Sequence, residues 1–268
     1  MKNTFSGKIV WVTGASSGIG EALVNAFAKQ DSKIILTARR EEELIRVKKE
    51  SGLTDENSLI LPLDLYQTEN LPQSIEKIKA KFGNIDIAIC NAGIAQRFSV
   101  MESTMEINRQ IMELNFFSVI ALAKSVLPEM LKRKAGRIVV ISSVNGKISL
   151  AGSSIYAASK HALQGFFDAL RAEVYRDNIG VTLVCPGYVK TNVSINAVTA
   201  QGGTHGKMDK GQQHGISPEK CANGILKAIA KGKNEFYIGG PEMLALTFKR
   251  LFPQLFLNVA NWVSPKKK

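Results

Sequence analysis

Short apolar runs alternate with helical patterns along nearly the whole chain, and no other feature of the sequence constrains the fold as strongly. Runs at 8–13, Lys33–Thr37, 59–63, 86–90, 137–141, 181–185 and Glu235–Ile238 read as buried strands. Helical patterns fill the intervals: from Gly20 to about Lys29, from near Thr68 to about Phe82, from about Thr104 to Lys134, through Tyr156 to about Asp177, and from Pro218 to about Lys231. Strands joined through helices run parallel, so the expectation is an α/β fold on a doubly wound parallel sheet. At 268 residues, with 45% hydrophobic residues and 22 glycines, the chain suits one such domain and not a disordered or fibrous protein. The expected organisation is a domain over 1–242, with a lid loop at 194–217, and a tail at 243–268.

The first strand runs into Thr13-Gly14-Ala15-Ser16-Ser17-Gly18-Ile19-Gly20. Strand, glycine turn and helix in that order make a phosphate cradle. Bare glycines let the backbone approach a pyrophosphate, and the helix N-terminus offers N–H groups and a positive dipole. Gly14, Ser16, Ser17, Gly18, Ile19 and Gly20 are therefore candidate cofactor-binding residues, the serines adding hydroxyls. The second strand ends in Ala38-Arg39-Arg40, where a site for NAD would carry an acid to grip the ribose 2′-hydroxyl. Two arginines favour the extra phosphate of NADP instead; the competing expectation is that they pair with Glu41, Glu42 and Glu43. Asp64-Leu65 follows the third strand, where the acid either accepts from an adenine amino group or caps the helix near Thr68. Asn91-Ala92-Gly93 ends the fourth strand, with Gly93 letting the backbone pass close to a cofactor.

Tyr156 and Lys160 share one face of a helix. An ammonium beside a phenol favours the phenolate and is expected to draw the tyrosine down from its usual pKa of about 10, towards acid–base chemistry. Of Ser142 and Ser143, only one can face a given site, because successive strand residues point opposite ways. Asn115 lies on an apolar helical face beside Leu114, Phe116 and Phe117; on its own it reads as a satisfied core amide, with a functional relay as the alternative. Pro186-Gly187-Tyr188-Val189-Lys190-Thr191 follows the sixth strand. The polar, Gly-rich stretch 196–217 reads as a substrate lid or as disorder, and His205 and His214 within it as surface residues.

The tail is amphipathic over 243–263. Leu244, Phe248, Leu251, Leu255, Val259 and Trp262 fall near one stripe, and Lys266, Lys267 and Lys268 follow. Two readings stand: an interfacial membrane anchor, or a helix covering the substrate pocket or a subunit interface. The net charge of +12 suits nucleic acid, an anionic membrane surface or an anionic cofactor, and no nucleic-acid signature accompanies it. Cys90, Cys185 and Cys221 match no metal spacing and read as buried thiols of a reducing compartment, so a cytoplasmic protein without a metal is expected. The first residues, Met-Lys-Asn-Thr-Phe, show no signal-peptide pattern, and no uninterrupted apolar run nears the roughly 18 residues of a spanning helix.

Together, Thr13-Gly14-x-x-x-Gly18-Ile19-Gly20, Asn91-Ala92-Gly93, Asn115, Ser143, Tyr156-x-x-x-Lys160 and Pro186-Gly187 stand in the order and spacing of the short-chain dehydrogenase/reductase superfamily, which the chain resembles over roughly residues 5–240. The Arg-Arg pair and the apolar tail are more particularly similar to the branch of dehydrogenase/reductase member 7 proteins and hydroxysteroid dehydrogenases. The resemblance implies a Rossmann fold that binds NADP(H) and an oxidoreductase interconverting a secondary alcohol and a ketone. It implies Tyr156 as acid or base at the reacting oxygen, and Lys160 lowering the tyrosine pKa and binding the nicotinamide ribose. The serine of the family pattern lies 13 residues before the tyrosine, which selects Ser143 to hydrogen-bond that oxygen. Asn115 would hold a water in a proton relay to Lys160, which reverses its reading as a core amide. Pro186, Gly187, Val189 and Thr191 would line the nicotinamide. Family members are commonly dimers or tetramers through the Asn115 and Tyr156 helices, so a homo-oligomer is expected. The mostly apolar stretches Ile94-Ala95, Val144 to Leu150 and Tyr188-Val189 favour a lipophilic small-molecule substrate. The alternative is an NADP-binding sensor or scaffold, which the intact Ser143, Tyr156 and Lys160 set disfavours.

Overall fold

Residues of β1 (Ile9–Thr13) alternate between two cores. Ile9 and Trp11 join the apolar cluster on one face of the sheet, while Val10 and Val12 join the cluster on the other. All five are buried, as in a strand covered on both sides. The computed structural model describes residues 4–263; the first residues Met1-Lys2-Asn3 and the lysines Lys266, Lys267 and Lys268 of the tail reading lie outside the described residues.

After β1 come α1 (Gly18–Ala28), β2 (Lys33–Thr37), α2 (Glu41–Glu50), β3 (Ser58–Ile60), α3 (Leu71–Phe82), β4 (Ile87–Cys90), α4 (Met105–Met112), α5 (Ser118–Arg133), β5 (Gly136–Ile141) and α6 (Ser154–Glu173). They are followed by β6 (Ile179–Pro186), α7 (Lys210–Gln213), α8 (Pro218–Ala230), β7 (Glu235–Ile238), α9 (Leu244–Leu251) and α10 (Pro253–Val263). The seven strands form one parallel sheet in the order β3-β2-β1-β4-β5-β6-β7, the doubly wound α/β arrangement expected. Val10 sits beside Ile34 of β2 and Ile87 of β4. Strand order reverses between β1 and β4, and a crevice opens there at the carboxyl ends. Helices α3, α5 and α6 cover the Trp11 face; α1, α2 and α8 cover the Val10 face. The third strand is shorter than the expected 59–63, because Pro62 has no N–H to give the ladder; the N–H groups of Leu61 and Leu63 still reach Leu36 O and Ala38 O.

The expected helix at 104–134 is continuous but not uniform. Between α4 and α5 it widens into a π turn at Glu113–Phe117, which carries Asn115. Met105–Arg133 makes 29 helical residues, long and apolar enough by length and composition to cross a bilayer. A search for uninterrupted apolar runs misses it because polar residues break the pattern. Its apolar side, including Leu114, Val119, Leu122 and Val126, is buried against the sheet.

The 194–217 stretch is folded, not loose. Val198 bridges both Gln96 and Thr204, and Val189 bridges Ile216. Cys90, Cys185 and Cys221 are buried and unpaired, and burial pushes their thiols up to about 12, 11 and 12. In the tail most of the expected stripe turns outward: Leu244, Leu251, Leu255, Val259 and Trp262 are exposed, while Phe248 is half-buried with its ring 6.3 Å from that of Phe256, which seats. Pro253 cannot continue the α9 ladder, so α10 starts afresh and no single stripe runs through both helices.

Candidate active site

The Thr13 hydroxyl donates to Ile89 O at 3.1 Å and accepts from the Asn91 N–H at 3.0 Å, pinning the end of β1 to the end of β4. Asn91 Nδ2 donates to Thr13 O at 3.0 Å and Gly14 O at 3.2 Å. The turn that follows needs glycine: Gly14 and Gly18 have φ of 63° and 60°, in the left-handed region. A Cβ on Gly14 would fall 2.8 Å from Asn91 Nδ2, and one on Gly18 would fall 3.0 Å from Thr191 Cγ2. Ser17, at the N-cap of α1, makes no side-chain bond to the helix, which leaves its hydroxyl and the first-turn N–H groups to a ligand. This is the donor set a pyrophosphate requires. Gly20 acts differently from the expectation. It does not line the cleft; it lets α1 pack on the turn, since a Cβ there would meet Gly14 O and lie 2.6 Å from Asn91 Nδ2.

Arg39 and Arg40 line the cleft and are exposed, with no ion pair among the described residues. The competing pairing with Glu41, Glu42 and Glu43 does not form. Glu43 pairs with Arg46, which also holds Glu21 and Glu50 and donates to Ser16 O at 3.3 Å. Those glutamates hold the Arg46 guanidinium above its already high pKa. Asp64 does not cap a helix. Its Oδ1 accepts from the Tyr66 N–H at 3.1 Å and its carbonyl from the Gln67 N–H at 2.9 Å, closing a turn at the cleft wall beside Leu65.

Ser142 and Ser143 part company as the strand geometry demands. Ser142 borders the cleft, but its Oγ is engaged, donating to Lys160 O at 3.2 Å and accepting from Gln164 Nε2 at 3.0 Å. Ser143 Oγ accepts from the Asn145 N–H at 3.1 Å and stands close enough to Tyr156 to favour its phenolate. Lys160 Nζ donates to Ile141 O at 2.9 Å and lies 5.8 Å from the Tyr156 ring centroid. The expected lowering of the tyrosine by the lysine is not what this arrangement yields. Burial disfavours both charged forms, so the Tyr156 phenol is raised, with Ser143 and Arg97 opposing, while Lys160 is lowered to about 8. Asn115 is buried one layer back and does not line the cleft. Its Nδ2 donates to Ile94 O at 2.9 Å and Ser159 Oγ at 3.2 Å, and its Oδ1 accepts from the Ile94 N–H at 2.8 Å. By geometry it is a satisfied amide that clamps the chain leaving β4.

One cleft of about 1080 Å³ joins these parts. Gly14, Ser16, Ser17, Gly18, Ile19, Asn91, Ala92 and Gly93 line it beyond the carboxyl ends of β1 and β4, and Pro186, Gly187, Val189 and Thr191 line it after β6. Ser143, Tyr156 and Lys160 face the same space. Sequence reasoning missed Arg97, Asp209, Glu242 and Phe256, which also line it. Glu242 Oε1 accepts from the Tyr188 N–H at 2.8 Å, where a Cβ on Gly187 would collide with it. No local pattern marks the two contacts that bring three of them to the cleft, since Arg97 meets Asp209 across 112 positions and Glu242 meets Tyr188 across 54. His205 is partly exposed, with Nε2 3.9 Å from Asp209 Oδ1, and His214 is exposed.

Residues 8–202 match the model of the short chain dehydrogenase family. The chain is 41% identical over 268 residues to a dehydrogenase/reductase SDR family protein 7-like of Anopheles gambiae, covering 98% of this chain and 83% of that one. It is 38% identical over 258 residues to dehydrogenase/reductase SDR family member 7B of Bos taurus, covering 94% and 79%. Its backbone is similar to that of a short-chain dehydrogenase from Streptomyces avermitilis, with a TM-score of 0.81 and 28% identity over 99% of this chain and 100% of that one. It is also similar to the closed form of a serine dehydrogenase complexed with NADP+, with a TM-score of 0.78 and 29% identity over 86% and 94%.

Proposed function

Because this chain belongs to the short-chain dehydrogenase/reductase family of oxidoreductases, whose members use nicotinamide cofactors, we propose that it interconverts a secondary alcohol and a ketone with NADP(H). The observation that carries the reading is the meeting of Ser143, Tyr156 and Lys160 in the cleft that begins at the glycine cradle. Gly14, Ser16, Ser17, Gly18 and Ile19 would hold the pyrophosphate, with Gly20 keeping α1 close. Asp64 and Leu65 would face the adenine, and Asn91, Ala92 and Gly93 would let the cofactor lie against β4. Pro186, Gly187, Val189 and Thr191 would line the nicotinamide, and Lys160 would reach its ribose. Arg39 and Arg40, cationic, at the cleft wall and without an ion pair among the described residues, support NADP over NAD, as does the NADP+ complex of the similar serine dehydrogenase.

When bound, the nicotinamide supplies or takes the hydride. Tyr156 gives its proton to a carbonyl oxygen in reduction and takes one from the alcohol in oxidation. Burial raises the phenol above its ordinary value, so it is the proton-bearing form that the site holds, which suits the acid role and hence reduction. The Ser143 hydroxyl donates to the same oxygen. Lys160 Nζ, near pKa 8, can hold or release a proton. A relay water would occupy the gap beside Gly93, whose absent Cβ would lie 3.0 Å from Asn115 Oδ1 and 3.6 Å from Lys160 Nζ. Ile94, Phe98, Ile148, Leu150, Val193 and Phe256 give the cleft apolar walls, which favours a lipophilic ketone. Family members often form oligomers, and Phe117, exposed on the long helix, supports a homodimer or homotetramer through that face. The exposed apolar side chains of the tail, Leu244, Leu251, Leu255, Val259 and Trp262, support contact with a lipid surface, while Ala245 and Phe256 line the cleft.

The test is a fluorescence titration with NADPH and NADH, then NADPH oxidation over a panel of lipophilic ketones. NADPH is expected to bind at least ~10-fold tighter, since losing a paired phosphate costs about 1.4 kcal/mol or more. Tyr156→Phe is expected to lower kcat by ~10²-fold or more with NADPH affinity unchanged. Tighter NADH binding would overturn the roles of Arg39 and Arg40; full turnover by Tyr156→Phe would overturn the acid–base assignment.

A further inference from the structure

Gln96 and Arg97 belong neither to the glycine cradle nor to the Ser143, Tyr156 and Lys160 set, yet they touch the parts on both sides of the cleft. Residues 95–97 pair with Val198: the Val198 N–H donates to Ala95 O at 2.9 Å, and the Arg97 N–H to Val198 O at 2.9 Å. Successive side chains of an extended segment point opposite ways. Gln96 therefore turns inward and is fully buried, while Arg97 turns to the 194–217 segment.

Inward, Gln96 Oε1 accepts from the Tyr156 N–H at 3.0 Å, and Nε2 donates to Ser154 Oγ at 3.2 Å and Phe98 O at 3.0 Å. The N–H groups in the first turn of a helix have no partner within it. Ser153, at the N-cap of α6, makes no side-chain bond to that turn. Gln96, 60 positions away, takes the capping role and takes it at Tyr156 itself. Outward, Arg97 donates to Asp209 Oδ2 through Nε at 2.9 Å and through Nη2 as well. Asp209 is tied in turn to its own segment, its N–H donating to Ser194 Oγ at 3.2 Å. Arg97 and Asp209 both line the cleft, and both are partly buried. The charge of Arg97 also reaches Tyr156, where it favours the phenolate.

We propose that Gln96-Arg97 couples the 194–217 segment to Tyr156: the Arg97–Asp209 ion pair holds the segment against the substrate end of the cleft, and Gln96, set by the same strand pairing, fixes the start of the Tyr156 helix. Both are positioning residues, and the inference rests on the reading of Tyr156 as the acid–base group. The two roles separate. Loosening the segment weakens substrate capture and shows in KM; loosening the helix start displaces Tyr156 and shows in kcat.

The experiment compares Arg97→Met, Arg97→Lys, Asp209→Asn, the Arg97→Met/Asp209→Asn pair, Gln96→Met and Gln96→Glu with the wild type. Three quantities are read: NADPH affinity, kcat and KM for a ketone the wild type reduces, and trypsin cleavage after Lys207 and Lys210. NADPH affinity should stay within about 2-fold throughout, since none of these residues belongs to the cradle. Arg97→Met and Asp209→Asn should each raise KM ~10-fold and speed cleavage, the pair no more than the worse single change, and Arg97→Lys should recover part of the loss. Gln96→Met should lower kcat ~10-fold with KM little changed, and Gln96→Glu, which keeps the acceptor for the Tyr156 N–H but sets a second oxygen against Phe98 O, should restore part of it. Unchanged KM and cleavage in both single variants, or fully additive effects in the pair, would overturn the latch. Equal kcat losses in the two Gln96 variants would overturn the cap. Cleavage reads the latch without turnover, so a wild type inactive on every ketone would count against the proposed function while leaving the latch measurable.

Discussion

Lys160 shows how one residue's chemistry depends on its surroundings. Its spacing from Tyr156 places both on one helix face, and that is legible from the chain alone. That the ammonium would be desolvated, with Ile141 O as its hydrogen-bond acceptor, is not, because the carbonyl comes from β5. Burial lowers Lys160 to about 8 from a usual 10.5, which carries a stability signature. Between those values the unfolded chain binds the proton and the folded chain does not, so stability rises with pH across the window. The stability gained across that window is at most about 3 kcal/mol. Lys160→Met is expected to lose turnover and to lose this rise. The raised thiols and phenols act in the opposite sense at higher pH and are common to both proteins, except that Cys185 senses the Lys160 charge and rises further without it. Urea unfolding at pH 7.5, 9 and 10 measures it; parallel curves for the two proteins would show that Lys160 titrates normally.

At the scale of elements, two contacts shape the site. The π turn at Glu113–Phe117 brings the Asn115 amide onto Ile94, clamping the chain as it leaves β4. The helical ladder is interrupted there, and Leu114 O takes the Ser118 hydroxyl at 2.6 Å. The helix itself was legible from its periodicity; the widened turn was not, because one turn of i→i+5 bonds in place of i→i+4 leaves no distinct residue pattern. The second contact is α1 on the cradle. Gly20 has an ordinary helical backbone, so its value lies in contact alone, unlike Gly14 and Gly18. Gly20→Ala forces α1 away from Gly14 and Asn91. It is expected to weaken NADPH binding ~10-fold or more and to cost about 1–3 kcal/mol of stability, as overpacking does. Titration and thermal unfolding of the variant check this; wild-type affinity would show that the turn yields without moving the helix.

Over the whole molecule, the sheet's order reversal between β1 and β4 decides where the cleft lies, and the tail decides what else the molecule meets. Leu251, Leu255 and Trp262 face solvent, while Phe256 seats at the cleft. Replacing those three exposed residues with serine spares Phe256. The wild type is expected to co-sediment with anionic vesicles and the triple variant to stay in the supernatant, with NADPH binding equal in both. Equal soluble fractions would rule out the lipid contact. The sequence by itself determined the α/β class, the strand and helix order, the glycine cradle and the pairing of Tyr156 with Lys160. Each rests on spacing within one element or between neighbours: period two in strands, a four-residue step on a helix, glycine where the backbone must turn sharply. Tertiary structure alone decided the direction of the Tyr156 and Lys160 shifts, the Gln96 cap on the Tyr156 helix, the Arg97–Asp209 pair and the seating of Phe256. Those follow from desolvation and from contacts between residues up to 112 positions apart, which leave no mark on the local pattern.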